Sequence, residues 1–293
     1  MADGKHQPCE FCTVRALKGE ITELVVGITF VPADALEAMR WGKQGEPGTL
    51  LPAAVEAVGL DFAFVPSSEP WAERSVEGLL EIGAAPLWVV NGPFSNAVAV
   101  HGWTEALRLT IADPDALRPA LDEGASFAIA QALRGLAVGS AGIVLAEDLA
   151  GVHGPLMAPD FVNAELMPRS ASVASEAGRV DLPAVFHSDG DIRVFMQGIG
   201  RAGFSAVHVG GLGQDGFVRL LRDARQHGLR VIGGIEGEAL RQSIPAAIRA
   251  GIQAALFAAP GDVLLADDGS IATAEDLSAF VSAVEAARGE GTA

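Results

Sequence analysis

The chain has 293 residues, 49% hydrophobic and 19% charged, enough to bury a large core as one α/β barrel or two modest domains. Its 37 acidic residues outnumber 20 lysines and arginines, for a formal net charge of -17, which excludes a phosphate-reading surface and with it a nucleic-acid partner. No uncharged run approaches the ~20 residues of a membrane span, and the start lacks the apolar core of a signal peptide, so no membrane contact and a cytoplasmic location are expected.

Residues 1–22 read as an N-terminal extension, frayed over its first eight residues and helical from Glu10 to Lys18. Phe11, Val14 and Leu17 fall on one side at helical spacing, and Gly19 ends the helix. Cys9 and Cys12 stand at its start. With His6 they could form half of a metal site, but tetrahedral zinc needs four ligands and no second cysteine pair exists, so a partly buried terminal helix is the simpler reading. Two cysteines make no disulfide framework, which is consistent with a reducing compartment.

Short apolar runs then recur at Leu24–Val31, Asp61–Val65, Pro86–Val90, Ala141–Ala146, Pro183–Phe186, Ser205–Val209, Arg230–Ile235 and Asp262–Ala266. Each is too short for a typical helix and rich in Val, Ile, Leu, Phe or Ala, as buried parallel strands are. Helical patterns lie between them, among them Asp191–Arg201, Phe217–His227 before Gly228, and Ile244–Ala258. Eight strands alternating with helices predict a (β/α)8 TIM barrel of the α/β class, a fold that occupies about 250 residues. No strong linker divides the chain, so residues 1–293 are read as one domain.

In such a barrel the chemistry sits at the C-terminal ends of the strands. In chain order that rim collects Thr29 and Phe30, then Ser67, Ser68 and Glu69, then Asn91 to Asn96. Glu147, Asp148 and His153 follow the fourth strand, and His187, Asp189 and Asp191 the fifth. His208 ends the sixth strand, Glu236 follows the seventh, and Asp267 and Asp268 the eighth. The fifth tip stands out, because an apolar run switches abruptly into His187-Ser188-Asp189-Gly190-Asp191. His187 and Asp189, at i and i+2 on a strand end, point the same way and suit either a metal or an acid held by a carboxylate. Glu147 and Asp148 are adjacent acids of which Asp148 is the preferred inward one, although strand alternation leaves that choice open by one position.

The catalytic candidates are therefore His187, Asp189, Asp148 and Glu236, and the substrate-binding candidates are His208, Glu147, His153, Trp71 and Asn91. A divalent metal ion would be held by His187, Asp189 and Asp268. Trp41 and Trp71 fall in loops near the mouth, Trp88 reads as core, and His101 and His227 read as structural. Gly211-Leu212-Gly213-Gln214-Asp215-Gly216 satisfies the text of a dinucleotide fingerprint. Its place after the sixth of eight strands argues instead for a turn that lets a ligand or loop approach closely.

Several of these segments, taken together, resemble the uroporphyrinogen decarboxylase superfamily. They are Gly92-Pro93-Phe94-Ser95, the Ala141–Gly151 strand ending in Glu147-Asp148-Leu149-Ala150, Gly154-Pro155-Leu156-Met157-Ala158-Pro159, the His187–Asp191 tip, and the tail from Asp267 to Asp276. The likeness runs from about Phe11 to about Ala286. True porphyrinogen decarboxylases imply an arginine-rich motif near the first strand, represented here at best by Arg40, and a tyrosine, which this chain of 13 Phe and no Tyr cannot supply. The methyltransferase branch is the nearer likeness. Its zinc-dependent members imply His-x-Cys at the fifth tip and a further Cys after the eighth strand; the corresponding positions here are His187, Asp189 and the neighbourhood of Asp268. That branch implies transfer of a methyl group from a small substrate to a corrinoid carried on a partner protein. Nitrogen and oxygen ligands would suit a harder ion than zinc-thiol chemistry uses. The alternatives are a lyase acting on a small acid, for which Arg40, Arg169 and Arg193 are the candidate cations, and a ligand-binding barrel without chemistry.

Overall fold

Apolar runs of four to eight residues, most of them bounded by Gly, Pro or Asp, cannot hide both faces unless the sheet they form is covered inside and out. The computed structural model, which describes residues 8–39, 47–151, 153–242, 245–258 and 261–290, shows that arrangement. The barrel strands are β1 (Gly27–Ile28), β2 (Phe62–Pro66), β3 (Ala85–Asn91), β4 (Gly142–Ala146), β5 (Ala184–Asp189), β6 (Ala206–Gly210), β7 (Arg230–Ile235) and β8 (Val263–Asp267). All neighbours are parallel, and the spatial order follows the sequence. This is the expected (β/α)8 TIM barrel, with a strand in each predicted run, although the first, predicted over Leu24–Val31, shrinks to two residues and the fifth extends past Phe186 to Asp189.

Alternation along the strands separates two cores. Phe62, Phe64, Leu87, Val89, Val144, Val185, Ala206, Ile232, Leu264 and Ala266 fill the barrel. Their strand neighbours, such as Val65, Trp88, Leu145, Phe186, Val207 and Leu265, face the helices. Trp88 is core, as expected, and its Nε1–H donates to the Gln131 carbonyl at 3.0 Å.

The helix Glu10–Leu17 closes the end of the barrel opposite the strand tips. Glu10 N–H donates to Gly83 and the Thr13 hydroxyl to Asp61, both just ahead of strands, while Ala16 and Leu17 enter the interior core. The expected apolar side is corrected: Thr13, Ala16 and Leu17 are buried, whereas Phe11 is 68% exposed beneath the Arg15 guanidinium. Cys9 and Cys12 are joined in a disulfide, so neither thiol is left for a metal, and His6 lies outside the described residues.

Other departures are local. Asp191–Arg201 divides into a 3-10 turn at Arg193–Phe195 and a helix at Met196–Arg201. A two-residue hairpin, Ala150–Gly151 with Gly154–Pro155, follows β4. The β3-to-β4 connection holds three helices, Pro93–His101, Trp103–Ala112 and Pro114–Ala137. Among the described residues no helix is long and apolar enough to cross a membrane. Arg40 and Trp41 lie outside the described residues.

Closure falls on a short strand. β1 forms a two-residue ladder with β2 and meets β8 through the Val26–Leu265 bridge and a 2.9 Å bond from Leu265 N–H to the Val25 carbonyl. The wholly buried Asp267 carboxylate completes the seam, accepting from Thr29 N–H at 2.8 Å, the Thr29 hydroxyl at 2.5 Å and Gly269 N–H at 2.9 Å. Burial holds this carboxyl up at about 6 against the pull of those donors. Thr29→Val removes the hydroxyl donor at constant shape and leaves a buried oxygen underused. Urea unfolding at pH 8 should show a loss of about 1–3 kcal/mol relative to wild type, with Thr29→Ser close to wild type.

Candidate active site

The alternation that fills the barrel also decides which tip residues reach its mouth. Val144, Ala146 and then Asp148 continue the inward face of β4, and Val185, His187 and Asp189 that of β5. The structure brings Asp148, His187 and Asp189 together, each offering a ligand atom within 4.8 Å of the others. Asp189 N–H also reaches Asp148 Oδ1 at 3.3 Å. His187 is 8% exposed, and burial lowers its imidazole to about 4, so it is neutral at pH 7. Asp189 is raised to about 6, first by desolvation and then by the charges of Asp148 and Asp268. Its carboxyl is therefore mostly ionised at pH 7 yet poorly solvated, so a cation beside it is favoured.

The tips are tied so that this cluster is held still. Ser188 Oγ accepts from Leu149 N–H and donates to the Asp189 carbonyl, both at 2.9 Å, joining the β4 and β5 ends. Gly190 N–H donates to Gly210 at 2.9 Å and Asp191 N–H to Gly151 at 3.1 Å. Gly190 has φ +78°, and a β-carbon there would collide with the Gly151 backbone, so only glycine fits. Gly210 is likewise required, because the Asp189 carboxylate occupies the place of its β-carbon.

His208 is brought beside His187 but does not face a substrate. It is 0% exposed, shares a 2.8 Å bond between the two Nδ1 atoms, and directs Nε2 to the Asp267 carbonyl at 3.1 Å. Burial, then His187, lowers it to about 3. The expected substrate contact is thus corrected: His208 is a layer below the mouth. Phe30, with its ring centroid 4.8 Å from His187 and 5.4 Å from Phe64, covers the pair and supplies an apolar wall. Its position after the first strand signalled the rim; nothing in the sequence signalled that contact.

Glu147 departs from its expected role as well. It faces outward on β4, buried, with Oε2 accepting from Phe94 N–H at 2.9 Å and a further bond from Ser95 N–H at the start of the helix Pro93–His101. Helix-end amides favour the charged form, yet burial outweighs them and raises the group to about 8. Asp148 is the inward member of the pair.

The remaining candidates are spread around the rim. Glu236 is half-buried, and its Oε1 has no solvent access and no hydrogen-bond partner. It lines a small cavity of about 20 Å³ with Leu212, Gly213, Phe217 and Asp268, which is where the Gly211–Gly216 turn approaches. Burial, then Asp268, raises Glu236. Asp268 lies outside the three-residue cluster, and its Oδ1 accepts from Ser270 N–H and the Ser270 hydroxyl. Asn91 ends β3 exposed, and His153 is exposed in the hairpin turn. Trp71 packs, half-buried, against the outer core at the start of the helix Ala72–Glu81. Arg193 is bound to Asp191 at 2.6 Å, and Arg169 to Asp122 and Glu165, so neither is a free cation for a departing carboxylate.

No protein-family model and no curated protein matches the chain. Among solved structures it is similar to a methyltransferase from Methanosarcina mazei, with 17% identity, 97% of this chain and 100% of that chain covered, and a TM-score of 0.77. It is also similar to a B12-independent methionine synthase from Shewanella sp. W3-18-1, with 10% identity, 93% and 99% covered, and a TM-score of 0.60. At these identities the likeness is one of fold.

The buried Glu147 makes stability depend on pH in a definite direction. Its folded pKa of about 8 exceeds the ordinary 4.5, so the folded state holds a proton that the unfolded chain releases between those values. This contribution is complete below about pH 4.5 and is lost as pH rises through about 8. Glu147→Gln keeps an oxygen for Phe94 N–H and removes the titration. Thermal melts from pH 5 to 8.5 should show wild type losing more stability than Glu147→Gln; parallel curves would refute the assignment.

Proposed function

We propose that this protein is a methyltransferase-like barrel enzyme that binds a small methylated substrate at the mouth, over a divalent ion held by His187, Asp189 and Asp148. The acceptor of the methyl group is a corrinoid carried on a partner protein. The observation on which the proposal rests is the convergence of one imidazole and two carboxylates at the tips of β4 and β5. The fold shared with the Methanosarcina methyltransferase supports the reaction class, as does the resemblance of the His187–Asp191 tip to that branch.

The residues present fit such an ion. A neutral imidazole and two acids crowded by each other's charge supply nitrogen and oxygen donors, the set preferred by Mn²⁺, Fe²⁺ or Zn²⁺ with hard co-ligands. When bound, the ion supplies Lewis acidity toward the heteroatom that bears the methyl group. The chain's own residues do the rest. Asp189 and Asp148 would offer carboxylate oxygens to the ion and balance its charge. The Phe30 ring walls the methyl side from water, with Glu236 and Asp268 behind the cluster.

Titration calorimetry with Mn²⁺ and Zn²⁺ should show one ion per chain, weakened at least about tenfold in His187→Ala and in Asp189→Ala. At a hundred times Kd, bound ion should stabilise the wild type by about 2.7 kcal/mol, visible as a raised Tm. Purified protein loaded with the ion should methylate a Co(I) corrinoid from some member of a panel of small O-methyl and N-methyl donors. No turnover across the panel, with His187→Ala indistinguishable from wild type, would remove the methyltransferase reading.

A further inference from the structure

His208 has no part in the proposed chemistry, yet both of its ring nitrogens are engaged in a place where no water reaches. A carbonyl oxygen only accepts, so Nε2, which faces the Asp267 carbonyl at 3.1 Å, must carry a proton. Neither nitrogen of this wholly buried ring meets a carboxylate, and an unpaired positive charge there would be costly, so the ring is neutral and Nδ1 is a lone pair. That lone pair lies 2.8 Å from His187 Nδ1, and two lone pairs do not meet at such a distance. His187 Nδ1 is therefore the donor. The ring centroids are 4.8 Å apart and the planes 25° apart, so the rings meet edge to edge, as a hydrogen bond between in-plane nitrogens demands. Phe64 edge-on to His208 and Phe30 against His187 hold both rings in this orientation.

From this polarity the geometry points to His208 as a positioning residue: the Asp267 carbonyl, acting through His208, fixes His187 in the Nδ1–H tautomer and leaves Nε2 as the lone pair offered to the mouth. Two consequences follow. Resting His187 is a ligand or proton acceptor and not a proton donor, which removes the reading of His187 as an acid held by Asp189. Since Nδ1 is bound to His208, Nε2 is the nitrogen left for a metal in the cluster His187 forms with Asp148 and Asp189, and the pair would serve as the outer hydrogen bond that orients a ligating histidine. This second consequence rests on the proposed metal site; the tautomer assignment does not.

The test separates the two. Long-range ¹H–¹⁵N spectra of the metal-free protein near pH 7.5, with His187 identified by loss of its peaks in His187→Gln, should show His187 protonated on Nδ1 and His208 on Nε2. His208→Asn places an amide oxygen where Nδ1 accepts and should preserve the His187 tautomer, whereas His208→Leu removes the acceptor and should shift His187 toward Nε2–H. Mn²⁺ affinity should fall about 10–100-fold in His208→Leu and stay within about threefold in His208→Asn. His187 protonated on Nε2 in the wild type, or an unchanged tautomer in His208→Leu, would overturn the assignment. If His208→Leu does not fold, the wild-type and His208→Asn spectra decide it. The expected tautomers in a protein that binds no Mn²⁺ would leave His208 as the positioning residue and count against the metal reading alone.

Discussion

Asp267 joins the closing of the barrel to the set of its candidate site. Its side chain takes the Thr29 amide and hydroxyl, which seals a seam where β1 has only a two-residue ladder, and its carbonyl takes the Nε2–H of His208. The same residue thus holds the last strand to the first and, one bond further on, orients the pair of imidazoles under the mouth. A buried acid with three donors is stable where an unsatisfied one would cost several kcal/mol, so the seam can close only in the register that also places the carbonyl beneath His208. Fold and site are specified together.

The mouth itself is held under electrostatic tension. Asp189 is raised by burial and then by the charges of Asp148 and Asp268, and Glu236 by burial and then by Asp268, so the ionised forms of these two acids favour a positive partner. An acidic rim on a chain of net charge -17 would repel a polycarboxylate substrate and attract a cation, which is one physical reason a tetrapyrrole acid does not suit it. The buried Glu147 does not share this role. It lies behind the rim as a largely protonated anchor for the helix Pro93–His101, and a charged anchor there would add to the repulsion.

Much of the scaffold was legible because the physics that builds it is local. Eight buried parallel strands must read as short apolar runs, and the tip at His187–Asp191 had to be polar because it emerges from the core. What was not legible depends on contacts between elements. The choice between Glu147 and Asp148 turns on strand parity, which a one-residue uncertainty erases; only the packing of Val144 inside the barrel settles it. Phe11 shares a helical face with Val14 and Leu17 but is left exposed, because the helix Glu10–Leu17 is anchored to the barrel end through Thr13 and Leu17. The depth of His208 could not be read from a strand end alone, since the rings above it come from β5 and from the loop after β1.

The chain shares its backbone fold with a barrel at a TM-score of 0.77 while matching only 17% of its residues. Function on such a scaffold lies in a few tip residues, and here the decisive difference is one donor atom. Where the zinc-thiol methyltransferases that the tip resembles carry a cysteine two residues after histidine, this chain carries Asp189, whose carboxylate occupies the β-carbon space of Gly210 and whose N–H donates to Asp148. Under the proposed reading, oxygen for sulfur would make the site harder and suit it to polarising an oxygen or nitrogen over generating a thiolate. The imidazole pair needs no such change, because a lone pair at His187 Nε2 serves either kind of site. The histidine layer belongs to the scaffold, and on the proposed reading the carboxylate layer above it would set the chemistry.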